Sequence, residues 1–241
     1  MLSEYAVAEE VSCQTAFNAM NWREASQSCT TAAQAGDVEA QYFLAELYWR
    51  GHGVSQDDTE ALIWFESSAS GGFAHAQYTL ALIYLYADKL DDELQRNTQQ
   101  ALALLEDAAA RGHPDAIFDL AVMYAQGTNV ERSYELAKYL LDVGIENNHA
   151  PSQYFLALIY LTGELVAKNV PSAVDMLTLS AEQGYNDAQR MLGLLYAEGE
   201  GVDKDYMRGK YWLTQASEGE NIDAQFRLAV LLEDAQTPLH D

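Results

Sequence analysis

The sequence predicts an all-α fold, a right-handed α-α superhelix (solenoid) made of stacked helix pairs. Three observations predict it. A 12-residue segment recurs six times along the 241 residues, at steps of 36, 40, 36, 36 and 36 residues. A second helical pattern follows each of the first five copies. One such pair cannot bury its own apolar face, whereas stacked pairs share a continuous core.

The recurring segment, called helix A, carries its apolar residues at helical spacing. Leucine stands at the fifth position of all six copies, a small residue at the sixth, and tyrosine at the ninth in five copies. Positions five and nine lie on one face of a helix, and the small residue between them lets a second helix approach closely. The six copies begin at Ala40, Ala76, Ala116, Ser152, Ala188 and Ala224.

The second pattern, called helix B, is bounded by capping residues. Runs such as ALALLEDAAARG and AVDMLTLSAEQG end in glycine, which is typical of a helix C-terminus. Pro114 and Pro151 stand at the starts of helices A, where a missing N–H costs nothing. Aspartates favoured by the helix dipole stand at the same starts; they are Asp37, Asp115, Asp187 and Asp223.

A glycine-containing turn joins helix A to helix B. It reads GHGV at Gly51, GTNV at Gly127, GELV at Gly163 and GEGV at Gly199. A P-loop needs Lys and then Ser or Thr after its last glycine, and a dinucleotide fingerprint needs a third glycine where Lys204 stands. We therefore interpret the turn as a structural corner, and we predict no cofactor.

The repeated unit A-x-x-x-L-[GA]-x-x-Y-x-x-G-x-G-V, followed by D, A-x-x-W and A-x-x-G, resembles the Sel-one-like repeat (SLR), a relative of the tetratricopeptide repeats. Residues 188–219 carry nearly the whole pattern, and the resemblance covers roughly residues 33–232. It departs in the second repeat, where residues 87–97 replace the Gly-x-Gly-Val turn and add four residues. The resemblance implies a scaffold or adaptor that binds proteins or peptides, and it implies no catalytic activity. Many bacterial members of the family act in the cell envelope.

The repeats divide the chain into three predicted parts. Residues 1–36 form a capping hairpin, with helices near 5–19 and 22–35 and a turn at Asn21. Residues 37–218 form about five SLR helix pairs. Residues 219–241 form a half-repeat cap and a tail.

The only two cysteines, Cys13 and Cys29, lie equally far from the turn at Asn21. Equal distance in an antiparallel hairpin means facing positions, which allow a disulfide; two small buried thiols are the alternative. Cysteine-rich secreted members of the resembled family staple helix pairs in this way. A bridge implies an oxidising compartment, so we expect a periplasmic or exported protein, with a cytoplasmic protein as the alternative. The opening run MLSEYAVAEEV has no signal-peptide pattern, so export requires a signal that this sequence does not carry.

The charge of the chain limits its partners. It has 37 Asp and Glu against 13 Lys and Arg, a formal net charge of −24. Nucleic acids and anionic membranes need a concentrated basic surface, so neither is predicted as a partner. No apolar run is long enough for membrane insertion. A basic protein or peptide suits this charge, although simple solubility explains it equally well.

The sequence shows no local motif for catalysis or metal binding. The five histidines lack metal-ligand spacing, and Asp91, Asp92 and Glu93 are more typical of a solvated acidic loop than of a cation site. We predict a non-catalytic interaction scaffold. The alternatives are a cytosolic regulatory or assembly subunit, and a hydrolase with a composite acidic site.

Aromatic and arginine side chains at the variable positions of helix A form a candidate partner groove. The third, tenth and eleventh positions differ between copies, so we interpret them as free of the stacking constraint. Tyr, Trp and Arg are typical of interface hot spots; the alternative is that these residues pack between neighbouring repeats. The candidates are Tyr42, Trp49, Arg50, Tyr78, Tyr86, Phe118, Tyr154 and Arg190. The acidic segment 87–97 is a second candidate for contact with a basic partner.

Overall fold

The computed structural model describes residues 11–86, 98–219 and 221–234, and every regular element within those ranges is an α-helix. The candidate segment 87–97 and its acidic residues lie outside the described residues. The helices are α1 (Cys13–Asn18), α2 (Trp22–Gln34), α3 (Val38–Arg50), α4 (Asp58–Ser70), α5 (Ala74–Tyr86), α6 (Thr98–Ala110), α7 (Pro114–Gln126), α8 (Tyr134–Glu146), α9 (Ala150–Thr162), α10 (Val170–Glu182), α11 (Asn186–Glu198), α12 (Tyr206–Glu218) and α13 (Ile222–Asp234).

The helices form two compact units, Met1–Ile117 and Phe118–Asp241, with the boundary inside α7. In the first unit each helix from α1 to α6 packs on the next one along the chain. In the second unit α8 to α13 do the same. Helices A and B therefore alternate within each unit, as stacked pairs require. The three-part division at residues 36 and 218 stays a prediction.

The leucine and small residues of helix A form the core that the repeat predicts. The leucines of the first five copies are at most 4% exposed. They are Leu44, Leu80, Leu120, Leu156 and Leu192. In the sixth copy Leu228 is only half-buried and Ala229 is exposed. The core thus follows the repeat through five copies and weakens in the sixth.

A recurring glutamine ties helix A to the end of the preceding helix B. The second position of helix A is glutamine in five copies, and in four of them its Nε2 donates to a backbone carbonyl near the end of helix B, at 3.1 to 3.3 Å. The four are Gln41 to Ala33, Gln77 to Ala69, Gln189 to Ala181 and Gln225 to Ser217. These bonds satisfy carbonyls that the end of a helix leaves unpaired.

The predicted caps and corners are mostly present, with exceptions at Gly144, which lies inside α8 rather than at its end, and at Gly219. Asp37 accepts hydrogen bonds from the N–H groups of Glu39 and Ala40 at 2.9 and 3.0 Å. Gly199 ends α11 in the left-handed region, φ 77°, which confirms the structural corner. Gly219, which follows α12, has φ −81° and does not use that region.

In the described part of the N-terminal hairpin, α1 begins at Cys13. Ser12 caps this helix: the Ser12 side chain accepts a hydrogen bond from the N–H of Thr15 at 3.2 Å. The chain reverses through Met20, at φ 56°, and α2 begins at Trp22. The predicted helix near 5–19 is therefore too long at residues 11 and 12, and residues 5–10 lie outside the described residues.

Candidate partner-binding surface on helices α3 and α5

The predicted groove residues fall in both units. Five belong to the first unit and three to the second, and none of the eight is buried. In the first unit, Arg50 and Tyr86 are exposed, while Tyr42, Trp49 and Tyr78 are half-buried. In the second unit Phe118, Tyr154 and Arg190 are all half-buried. The partner groove itself stays a prediction.

Two of the predicted residues, Trp49 and Tyr86, line one cavity of about 270 Å³ between α3, α4 and α5. The Trp49 ring lies edge-on to Phe65 of α4, with centroids 6.4 Å apart. Tyr86 is 73% exposed at the end of α5, which makes it one of the most exposed large side chains described. The described residues that line it are Glu46, Trp49, Phe65, Thr79, Leu82, Ile83 and Tyr86.

Five of the described lining residues were not predicted from the sequence, although the repeat contained a signal for two of them. Glu46 and Leu82 occupy the seventh position of helix A, one turn after the third position. Positions three, seven and ten share a helix face. The remaining three, Phe65, Thr79 and Ile83, follow only from the packing of α4 against α5.

Among the described residues of the cavity wall, Glu46 is the one with a carboxylate. The residue is 8% exposed, and its Oε2 forms an ion pair with Arg50 at 2.7 Å. Arg50 lies on the solvent side, with 58% of its side chain exposed. Burial and the nearby Glu46 carboxylate raise the pKa of the Tyr42 phenol above 10.0, so Tyr42 stays neutral beside this pair.

Tyr42 and Tyr78 also pack within the first unit. The Tyr42 ring contacts Phe65 and Phe73, with centroids 5.8 and 5.4 Å apart. The Tyr78 ring stacks on His113 at 4.5 Å. These contacts join each tyrosine to its own helix pair or to the turn that follows it, and they leave Arg50 and Tyr86 as the exposed members of the set in this unit.

The three candidates of the second unit contact neighbouring helices. Phe118 lies 5.8 Å from the His149 ring. Tyr154 lies 5.3 Å from the Tyr185 ring, and burial raises the pKa of both phenols, with Asp187 adding to the effect. Arg190 bridges Asp187 of its own helix, at 3.8 Å, and Asp223 of α13, at 3.1 Å. This arginine therefore ties α11 to α13.

The N-terminal hairpin contains the predicted cysteine pair. Cys13 and Cys29 are joined by a disulfide, with Cα atoms 4.5 Å apart. Both residues belong to a buried cluster with Ala33 and Leu44, so the bridge joins α1 and α2 beneath α3. This pairing accounts for both cysteines of the chain.

Within the described ranges, no group of three or more His, Cys, Asp and Glu is placed to hold a metal ion. The acidic triplet at 91–93 lies outside those ranges. Among the helices that the structure describes, none has the length and apolar character needed to cross a membrane.

The repeat matches a known protein family across most of the chain. The Sel1 repeat matches five consecutive segments, residues 38–73, 74–113, 114–149, 150–185 and 186–221. The chain belongs to the Sel1 repeat family. Its helix pairs α3–α4 to α11–α12 are thus Sel1 repeats, and the predicted resemblance is confirmed. Sel1 repeat proteins are generally non-catalytic scaffolds that mediate protein–protein interactions.

Solved Sel1 repeat structures share the fold. A Sel1 repeat protein from Oxalobacter formigenes is 25% identical and superposes with a TM-score of 0.81, over 88% of this chain and 85% of the other. A protective antigen of uropathogenic Escherichia coli, which displays an SLR fold, is 24% identical with a TM-score of 0.78, over 97% of this chain and 51% of the other. The predicted fold class, an all-α solenoid of SLR helix pairs, is confirmed.

A curated relative is much longer than this Sel1 repeat chain. Chitin synthase regulatory factor 2 of Schizosaccharomyces pombe is 31% identical over 113 residues, which are 46% of this chain and 22% of the relative. The match therefore covers about a fifth of that protein's length.

Proposed function

We propose that this Sel1 repeat protein is a non-catalytic scaffold that binds a protein or peptide on the surface formed by Arg50, Trp49, Tyr86 and the cavity that Trp49 and Tyr86 line. The observation that carries the proposal is that a cavity of about 270 Å³ lies beside Tyr86, whose residue surface is 73% exposed. Trp, Tyr and Arg are the residue types that carry most of the binding energy in protein interfaces. The cavity supplies the pocket into which a partner's side chain can be anchored.

The experiment compares two exposed tyrosines. The protein is used as bait in an extract of its source cells, and bound proteins are quantified by mass spectrometry for the wild type, Tyr86→Ala and Tyr139→Ala. Tyr139 lies on α8, a helix B, and is 64% exposed, so it is a matched control for loss of a surface phenol. Tyr86→Ala is expected to reduce capture of a partner at least tenfold, about 1.4 kcal/mol, while Tyr139→Ala leaves capture within twofold. Equal capture by all three proteins would contradict the proposal.

We further propose that the partner is a basic protein or peptide. The net charge of −24 favours association with a positively charged protein and disfavours an acidic one. If the charge steers association, raising the salt concentration lowers the association rate. An association rate that is the same at low and high salt would contradict a basic partner.

We also propose that the protein works in an oxidising compartment, the periplasm or the cell exterior. The disulfide between Cys13 and Cys29 supports this, because such bridges persist where thiols are not kept reduced. A cytoplasmic regulatory subunit is the second candidate, favoured by the name of the yeast relative, a regulatory factor. Alkylation of protein taken directly from its source cells separates the two: no modified cysteine supports the oxidising compartment, and two modified cysteines support the cytoplasm.

A further inference from the structure

The cavity between α3, α4 and α5 is sized for one side chain. Its volume of about 270 Å³ lies below the range of about 300 to 1,000 Å³ that is typical of small-molecule sites. Most of its wall is apolar or aromatic, from Trp49, Phe65, Leu82, Ile83 and Tyr86. A long side chain with an apolar stem would fill such a space.

Glu46 is the charged residue among the described residues that line the cavity. A carboxylate that is removed from water needs partners to offset the lost hydration. Arg50 pairs with Oε2 at 2.7 Å from the solvent side. Within the described part of the chain, the structure gives Oε1 of Glu46 no hydrogen bond. Oε1 is also not among the buried side-chain atoms that lack a partner, so it is accessible from solvent and a second cation can approach it.

The aromatic walls suit the same kind of ligand. Trp49 follows Glu46 by three residues on α3, so the two side chains share a face of the helix. Tyr86 faces the same cavity from α5. The faces of Trp and Tyr rings attract a cation placed within about 6 Å, and a planar guanidinium stacks on them more readily than an ammonium does.

We propose that the cavity binds one arginine side chain of the partner, with the guanidinium at Oε1 of Glu46 and the stem between Trp49 and Tyr86. This inference rests on the proposed function, because it names the group of the partner that the same surface recognises. Arg50 shows that a guanidinium already pairs with this carboxylate from outside. A partner's arginine forms the second ion pair of the Glu46 carboxylate, from within the cavity.

The test uses defined peptides with the full-length protein. The peptides are acetyl-Gly-Gly-Arg-Gly-Gly-amide and the same peptide with citrulline, lysine or phenylalanine in place of arginine. Binding is measured from the NMR shift of the Trp49 indole N–H, assigned by its loss in Trp49→Phe. We expect the arginine peptide to bind at least tenfold more tightly than the citrulline peptide, which keeps the shape and lacks the charge. The lysine peptide is expected to bind more weakly than the arginine peptide.

Two protein variants locate the charge effect. Glu46→Gln is expected to weaken the arginine peptide at least tenfold. Glu106→Gln, an exposed residue of α6 in the same unit, makes the same change in net charge and is expected to alter affinity less than twofold. The citrulline comparison needs no variant, so the test stands even if Glu46→Gln fails to fold.

Several results would overturn the inference. Equal binding of the arginine and citrulline peptides would show that charge is not recognised. Tighter binding of the phenylalanine peptide, unaffected by Glu46→Gln, would show that the cavity takes an apolar side chain. Equal losses in Glu46→Gln and Glu106→Gln would show a general effect of net charge. If any of these results appears while Tyr86→Ala still abolishes partner capture, the arginine site fails and the proposed scaffold function stands.

Discussion

Replacing Gly193 by alanine tests how closely α11 and α12 approach. The other five copies of the repeat carry alanine at this position. In this copy a Cβ on residue 193 would lie 2.8 Å from Cγ of Leu213, 3.0 Å from the Leu213 backbone nitrogen and 3.2 Å from the carbonyl oxygen of Gly209. Leu213 is 1% exposed, so its branch point cannot swing into open space. The two helices must therefore separate by a few tenths of an ångström.

The magnitude follows from two opposed effects. Alanine in place of glycine inside a helix stabilises by about 0.5 to 1 kcal/mol, whereas overpacking a core costs about 1 to 3 kcal/mol. The difference between the two ranges leaves a lowering of the free energy of unfolding by about 0 to 2.5 kcal/mol for Gly193→Ala. Urea unfolding followed by circular dichroism measures it. A Leu213→Ala background removes the contact with Cγ and leaves the two backbone contacts, so the added cost should fall but not vanish. Stabilisation of the single variant, as helix propensity alone predicts, would refute the close approach.

Three further perturbations test other parts of the structure. Reducing the disulfide, which closes a loop of sequence separation 16, is expected to cost about 3 kcal/mol of unfolding free energy; identical urea midpoints for oxidised and reduced protein would contradict this. Leu192→Ala in the core (0% exposed) is expected to cost about 2 to 5 kcal/mol, and Leu179→Ala (42% exposed) less than about 1 kcal/mol; equal costs would contradict the assigned core. Burial and then its hydrogen bond to Glu66 raise the pKa of Tyr84 from 10.0 to about 12. The stability from this phenol is therefore present below pH 10 and is lost as the pH rises through about 12. Ultraviolet titration should show one tyrosine that ionises near pH 12 in the wild type and is missing in Tyr84→Phe. Identical titration curves for the two proteins at high pH would contradict this.

The repeat made the helices predictable from sequence. Leucine, a small residue and tyrosine at fixed positions specify both the helix and the face that it buries, while aspartate marks where a helix starts and glycine marks where it stops. The recurring glutamine was visible in the sequence, but its bond to the preceding helix B, as from Gln41 to Ala33, depends on how two helices meet. The sequence did not predict where α1 begins. Ser12 is the N-cap because its side-chain oxygen accepts a hydrogen bond from the N–H of Thr15, which only the structure shows.

The candidate surface was only partly predictable. Trp49 and Tyr86 follow from aromatic residues at variable positions, because variation marks freedom from the shared core. Phe65 belongs to helix B and enters the cavity only through tertiary packing, which no spacing within helix A encodes. Glu46 stands at a position that is leucine or valine in the other copies, so the sequence alone shows that its charge is unusual. Only the structure shows that this charge lies in the wall of a cavity.

Photo-crosslinking from two positions tests most directly where a partner docks. A benzoylphenylalanine is placed at Tyr86, beside the cavity, or at Tyr139 on α8, and each protein is irradiated in an extract of its source cells. The proposed surface predicts that a partner is crosslinked from position 86 and is absent from the products of position 139. Crosslinking of the same partner from position 139 alone, or equally from both positions, would contradict it.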